Sequence, residues 1–198
     1  MRIIIVGASG TLGRRLVPAF SKEHEVITAG SNSGELRVDI GNPDAIEQFF
    51  RQAGKFDALI SVTGKGHFAS VPALTDADFR IGINSKLMGQ VNLVLIGQHY
   101  INPGGSFTLT SGILSDEPIR AGANLSAVNR GLEGFVMAAA VELEKGIRIN
   151  VVSPGMVEDS PGFSSFFPGH IPVSMHRVVK AYEKSVLGPL TGQTIKVQ

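Results

Sequence analysis

The chain has 198 residues, of which 18 are Lys or Arg, 17 are Asp or Glu, 24 are Gly and none is Cys or Trp, giving a formal net charge of +1. This balance, with no basic run, removes the electrostatic case for a nucleic-acid or anionic-membrane binder. The lack of cysteine excludes a disulfide framework, a thiolate metal site and a cysteine nucleophile.

With 43% hydrophobic and 18% charged residues, the chain is expected to bury a substantial core as one domain over 1–198. Val/Ile-rich runs at 3–6, 25–28, 36–38, 58–62, 106–109, 148–152 and 194–197 are the predicted strands, with helical patterns near 11–23, 43–53, 76–99, 121–145 and 173–187. Continuous apolar strands alternating with helices indicate a parallel sheet covered on both faces. The expected fold is therefore α/β: a three-layer, Rossmann-type doubly wound parallel sheet of about seven strands. The first strand-like run begins at Arg2, which leaves no room for a secretory leader, and no apolar stretch reaches the roughly 18 residues of a membrane span. These readings point to the cytoplasm. The one long irregular segment, 155–172, carries Phe163, Phe166 and Phe167 and reads as a lid or binding loop.

The turn Gly7-Ala8-Ser9-Gly10-Thr11-Leu12-Gly13 follows the first strand and opens the first helix. Glycines there let the backbone approach a pyrophosphate, whose charge is held by unpaired amides and the positive end of the helix dipole. Gly13 lets helix and strand pack closely. Gly7, Ser9, Gly10, Thr11, Leu12 and Gly13 are thus candidate dinucleotide contacts. An NAD site usually places Asp or Glu at the end of the second strand to bind the ribose 2′-hydroxyl. Here that strand ends in Ala29-Gly30-Ser31-Asn32-Ser33. Ser31 and Asn32, with Arg14 or Arg15 nearby, favour NADP(H) over NAD(H).

In order and content these motifs resemble the short-chain dehydrogenase/reductase superfamily, from the first strand to the last. "GASGTLG" is similar to its cofactor loop, "RVDI" around Asp39 and Ile40 to its adenine-contacting turn, and "SVTG" with Thr63 and Gly64 to its segment after the fourth strand. "GSFTLTSG" resembles the strand that delivers the catalytic serine, here Ser111. "AAAVELEKGIRINVVSPG" resembles the stretch ending in the Pro-Gly turn, here Pro154 and Gly155, and "LTGQTIKV" the closing strand. The resemblance implies a nicotinamide cofactor, hydride transfer on a small carbonyl or alcohol substrate, and a homodimer or homotetramer.

The family's Tyr-x-x-x-Lys pair has no counterpart in this reading. Anchoring on Glu133-Gly134-Phe135 and on Ala140 to Leu143 puts Leu125 at the tyrosine position and Asn129 at the lysine position. Leucine carries no proton to give, while Asn129 can still hydrogen-bond a ribose. The family asparagine falls on Lys86 if Gly89 is the anchor, with Asn84 two residues earlier. An amine among apolar groups has a lowered pKa and can act as acid or base. Ser111 and Lys86 are therefore the candidate catalytic residues, the first orienting an oxygen and the second supplying the proton. His67 is a weaker candidate, and the scattered histidines show no metal-ligand spacing. An oxidoreductase with a non-standard site, a cofactor-binding sensor or scaffold without chemistry, and an isomerase or lyase on the same fold all fit these residues.

Overall fold

A computed structural model describes all 198 residues. Seven strands form one parallel sheet: β1 (Arg2–Val6), β2 (Glu25–Gly30), β3 (Leu36–Arg37), β4 (Phe56–Ser61), β5 (Ile101–Thr110), β6 (Arg148–Pro154) and β7 (Thr194–Val197), in the order β3-β2-β1-β4-β5-β6-β7. The helices are α1 (Gly13–Phe20), α2 (Pro43–Ala53), α3 (Asp76–Gly82), α4 (Met88–Gly97), α5 (Ala123–Glu142) and α6 (Met175–Leu187).

The layers follow from strand alternation. In β1, Ile3 and Ile5 join a core cluster with Leu16 and Phe20 of α1 and Val178 and Tyr182 of α6. Ile4 and Val6 point the other way, into a larger cluster with Phe49 and Phe50 of α2, Leu93 and Val94 of α4, and Leu132 and Val136 of α5. Both faces of the strand are buried, which is why its sequence shows no polar alternation. After β3 the chain crosses back to place β4 on the opposite side of β1. This reversal opens a crevice at the carboxyl ends of β1 and β4, where doubly wound sheets bind ligands.

Local signals set several element boundaries. Asn42 caps α2, its Oδ1 accepting from the amides of Asp44 and Ala45, with Pro43 in the first turn and Gly54 at φ 71° ending the helix. Thr75 and Asp78 form a reciprocal capping box on α3. Two expectations need correction. The single helix over 76–99 is interrupted by a π turn, Ile83–Leu87, between α3 and α4. The strand expected at 106–109 extends from Ile101, because the Asn102-Pro103-Gly104-Gly105 excursion is accommodated by a register shift against β4 and not by a turn that ends the strand. No helix is long and apolar enough to cross a membrane.

Candidate active site

The glycine turn closes over the end of β1. Gly7 has φ 92°, and a Cβ there would meet the Val62 carbonyl oxygen at 2.6 Å. A Cβ on Gly13 would sit 2.3 Å from the Gly7 carbonyl oxygen, so only glycine lets α1 start this close to the strand. Ser9, Gly10 and Thr11 are exposed and Leu12 is half-buried. No side chain caps the start of α1; the Arg14 and Arg15 amides donate to the Gly10 and Leu12 carbonyls at 3.0 Å, while the amides of Thr11, Leu12 and Gly13 have no partner in the protein and can face an anion. The two arginines have other partners: Arg14 Nε donates to the Ser9 carbonyl at 2.7 Å, and Arg15 Nε to Asp159 at 2.7 Å. Arg15 therefore ties α1 to the loop after β6 and holds Asp159 below the usual carboxylate range; it does not reach towards the end of β2.

Beside this turn lies a cavity of about 310 Å³, lined among others by Ser31, Asp39, Ile40, Thr63, Gly64 and Asn84. Asp39 Oδ1 accepts from the Gly41 amide at 3.0 Å, which fixes the turn beneath Ile40. Gly64, at φ 121°, packs so closely on the π turn that a Cβ would lie 2.6 Å from Lys86 Cα. Asn32 is exposed and does not line the cavity. Glu35 is the carboxylate nearest in sequence to the end of β2, and its Oε1 accepts from the amide and hydroxyl of Thr28 at 3.3 and 3.2 Å. Lys65 and Ser85 also line this cavity, and the Lys65 amide donates to Ser85 Oγ at 2.9 Å.

At the ends of β5 and β6 the arrangement differs. Lys86 sits on the π turn, a geometry often found at functional sites. Its Nζ donates to the Ser111 carbonyl at 3.1 Å. Protein crowds the amine although the residue keeps some solvent contact, and burial lowers the amine pKa to about 8. Asn84, the alternative at this position, is exposed on the 310 Å³ cavity instead.

Ser111 departs from its expected role. The residue is 3% exposed, and its hydroxyl donates to Glu133 Oε1 at 3.0 Å within α5. The other Glu133 oxygen is held by Arg130 at 3.1 Å. Lys86 and Ser111 are brought together, but through the serine carbonyl and not its hydroxyl. Glu133 carried no chemical signal in the sequence, where it served only as an alignment anchor. Gln90 was also missed: its side-chain amide accepts from the Thr110 amide at 2.9 Å and donates to the Thr110 carbonyl at 3.0 Å, pinning the end of β5 to α4.

Leu125 packs on the loop after β4, where a Cβ on Gly66 would lie 2.2 Å from its Cδ2, and joins a small apolar cluster with Ile113, Leu114, Met156 and Phe167. Asn129 is buried. Its Nδ2 donates to the Gly112 carbonyl at 3.3 Å, while its Oδ1 has no partner. Pro154 ends β6, and the Gly155 amide donates to the Val197 carbonyl at 2.8 Å. His67 is bound by its surroundings: its amide donates to Asn124 Oδ1 at 3.0 Å and its ring lies 3.8 Å from Asp78. A cavity of about 730 Å³ between α1 and α6 includes none of the candidate site residues, Arg15 apart.

Whether a dinucleotide fits can be judged from these features. The glycine cradle, the uncapped start of α1, the cavity at the switch point and the orphaned Asn129 oxygen all offer what such a ligand needs. Fold and site thus define a Rossmann-type α/β protein with a crevice of the kind that holds a dinucleotide. Residues 12–168 match the family model described as Enoyl-(Acyl carrier protein) reductase. The chain belongs to this family, within the oxidoreductases of the short-chain dehydrogenase/reductase type.

Among solved structures, the protein lin1944 from Listeria innocua is 45% identical with a TM-score of 0.98, each chain covering 100% of the other. A small-chain dehydrogenase solved in complex with NADPH is 25% identical with a TM-score of 0.88, over 100% of this chain and 96% of that one. Among curated relatives, an uncharacterized oxidoreductase of Methylorubrum extorquens is 24% identical over 78% of this chain and 72% of its own length. Versicolorin reductase of Emericella nidulans is 28% identical over 68% of this chain and 53% of its own length. The chain thus spans only about half of the latter protein.

Proposed function

We propose that the protein is an NADP(H)-dependent oxidoreductase that reduces a small carbonyl compound, or oxidises the corresponding alcohol, with Lys86 as the proton donor and acceptor. The observation that carries this reading is the Lys86 amine, held 3.1 Å from the Ser111 carbonyl at the end of β5 with its pKa lowered to about 8. A general acid works best with a pKa near the operating pH, and Leu125 and Asn129 stand where the family's tyrosine and lysine would be.

Gly7, Ser9, Gly10, Thr11, Leu12 and Gly13 would hold the pyrophosphate. Asp39, Ile40, Thr63 and Gly64 would hold the adenosine half, and Pro154 and Gly155 the nicotinamide end. Asn129 Oδ1 would accept from a ribose hydroxyl. When bound, the reduced cofactor supplies a hydride to the carbonyl carbon. The Lys86 ammonium gives its proton to the carbonyl oxygen, so that C=O becomes CH–OH, and the neutral amine regains a proton from solvent. Ser111 contributes through its carbonyl, which orients Lys86, while its hydroxyl fixes Glu133 and hence α5. The preference for NADP(H) is supported by Glu35, which is engaged by Thr28, and by Ser31 and Asn32 as neutral donors for a 2′-phosphate, the Ser33 hydroxyl being already given to Ser9 Oγ at 2.7 Å. A homodimer is supported by the exposed Leu95, Met137 and Val141 on α4 and α5, beside a cavity of about 260 Å³ between those helices.

A second reading, a cofactor-binding sensor without chemistry, is favoured by the apolar packing of Leu125. NADPH and NADH titration followed by a carbonyl and alcohol panel separates the two. Turnover that falls with Lys86→Met supports the enzyme, and tight NADPH binding without turnover across the panel supports the sensor. Failure to bind either nucleotide overturns both.

A further inference from the structure

Beyond Ser111, the segments after β4, β5 and β6 line a further cavity of about 200 Å³, open to solvent on one side. Its walls include Phe68 from the loop after β4, Ile113 and Ile119 from the segment after β5, and Met156, Phe163 and Phe167 from the segment after β6. Ser160 is the one polar side chain among the lining residues, and no charged side chain is present. Phe68 and Phe163 pair across the mouth with ring centroids 6.3 Å apart, joining two loops that nothing else in the sequence relates. The loop after β6 is closed at its base: the Val173 amide donates to the Met156 carbonyl at 2.8 Å, and the Glu158 amide to the Val173 carbonyl at 3.0 Å. Near the rim, Asp159 is paired with Arg15 at 2.7 Å and Glu117 Oε2 lies 3.3 Å from His170 Nε2, while Arg120, next to Ile119, is exposed and is not one of the lining residues.

We infer that the substrate of this site carries an uncharged aromatic or alicyclic group next to its reacting carbonyl, and that this group fills the cavity between Phe68, Phe163 and Phe167. The inference rests on the carbonyl-reduction reading above. Volume and polarity carry it. An apolar cavity of about 150 Å³ accepts a benzene ring, so 200 Å³ holds one ring with a substituent. A carboxylate or phosphate placed there would be desolvated with no cation to pair it, a cost that excludes anionic substrates of similar size. The lining also accounts for two of the three phenylalanines of the 155–172 segment, Phe163 and Phe167.

The test compares acetophenone with pyruvate, using two independent readouts. The first is NADPH consumption, where kcat/KM for acetophenone is expected to exceed that for pyruvate at least about a hundredfold. The second is saturation-transfer NMR from the acetophenone ring to the protein in the presence of NADP⁺, which requires no turnover. Phe163→Asp and Phe68→Asp, both at residues more than two-fifths exposed and therefore compatible with folding, are expected to abolish the ring signal while NADPH affinity is kept. Ring binding that these variants remove, without turnover of any carbonyl, sustains the cavity assignment and overturns the reductase reading. Turnover of pyruvate with neither binding nor turnover of acetophenone overturns the cavity assignment and leaves the reductase reading standing. Ring binding that survives both variants also overturns the assignment.

Discussion

Along the carboxyl edge of the sheet, the half built on β1, β2 and β4 and the half built on β5 and β6 solve their tasks with different materials. The first half works with backbone: amides at the start of α1, glycines whose Cβ atoms would strike carbonyl oxygens, and a cavity at the switch point. The second half works with side chains: the Lys86 amine, the Ser111–Glu133–Arg130 chain of hydrogen bonds, and an apolar pocket of phenylalanines. Backbone recognition of a pyrophosphate tolerates wide changes in surrounding residues. Proton transfer depends on one group with the right pKa in the right place. In the proposed function, the first half follows the family pattern while the second relies on Lys86 as a different proton donor.

The strongest way to break this contrast is Lys86→Met. It is expected to lower kcat by about 10²–10⁴-fold while leaving the NADPH Kd within about twofold, read by turnover and fluorescence titration. Equal losses in both would mean that Lys86 belongs to cofactor binding. Next in size is Gly13→Ala. Its Cβ would lie within 2.6 Å of two carbonyl oxygens of the turn, and NADPH affinity is expected to fall by at least about tenfold, or about 1.4 kcal/mol, in a calorimetric titration. Unchanged affinity would remove the glycine turn from the cofactor site.

Ser31→Asp sharpens the nucleotide assignment. A carboxylate at the end of β2 should repel a 2′-phosphate and accept a 2′-hydroxyl, lowering the NADPH-to-NADH preference by about tenfold or more. A preference unaltered by this change would contradict the reading of Ser31. Lys86→Met also has a stability consequence. The native amine titrates near 8 and the unfolded one near 10.5, so its burial penalty is complete below about pH 8 and fades as pH rises towards the unfolded value. The variant is expected to be more stable than the wild type by about 1–2 kcal/mol at neutral pH and by less at pH 10, the side chain's remaining solvent contact reducing the full effect. Urea unfolding at both pH values measures this, and a gain that grows with pH would contradict it.

How far the sequence showed this division can be judged from single residues. The turn from Gly7 to Gly13 was legible because strand, glycines and helix follow one another within a few residues, and local sequence alone imposes that geometry. The helical pattern near 43–53 coincides with α2, because Asn42, Pro43 and Gly54 bound that helix locally. The β5–β6 half was legible only in part. That Ser111 turns its hydroxyl to Glu133 depends on how α5 is placed against β5, two elements brought together by the whole fold. The π turn under Lys86 left no mark on the helical periodicity, and the Pro-Gly excursion within β5 imitated a turn. The three phenylalanines of 155–172 suggested a lid, but Phe68, the ring partner of Phe163, lies nearly a hundred residues earlier, and no spacing rule links the two.

The central claim is that the proton comes from Lys86, and the pH dependence of kcat for NADPH-driven carbonyl reduction tests it most directly. With an ammonium donor lowered to about 8, the rate should hold steady at lower pH and fall about tenfold per unit above that value, and Lys86→Met should lose both the rate and this limb. A wild-type profile that stays flat from about pH 6 to 10, or a Lys86→Met enzyme with full turnover, would contradict the account.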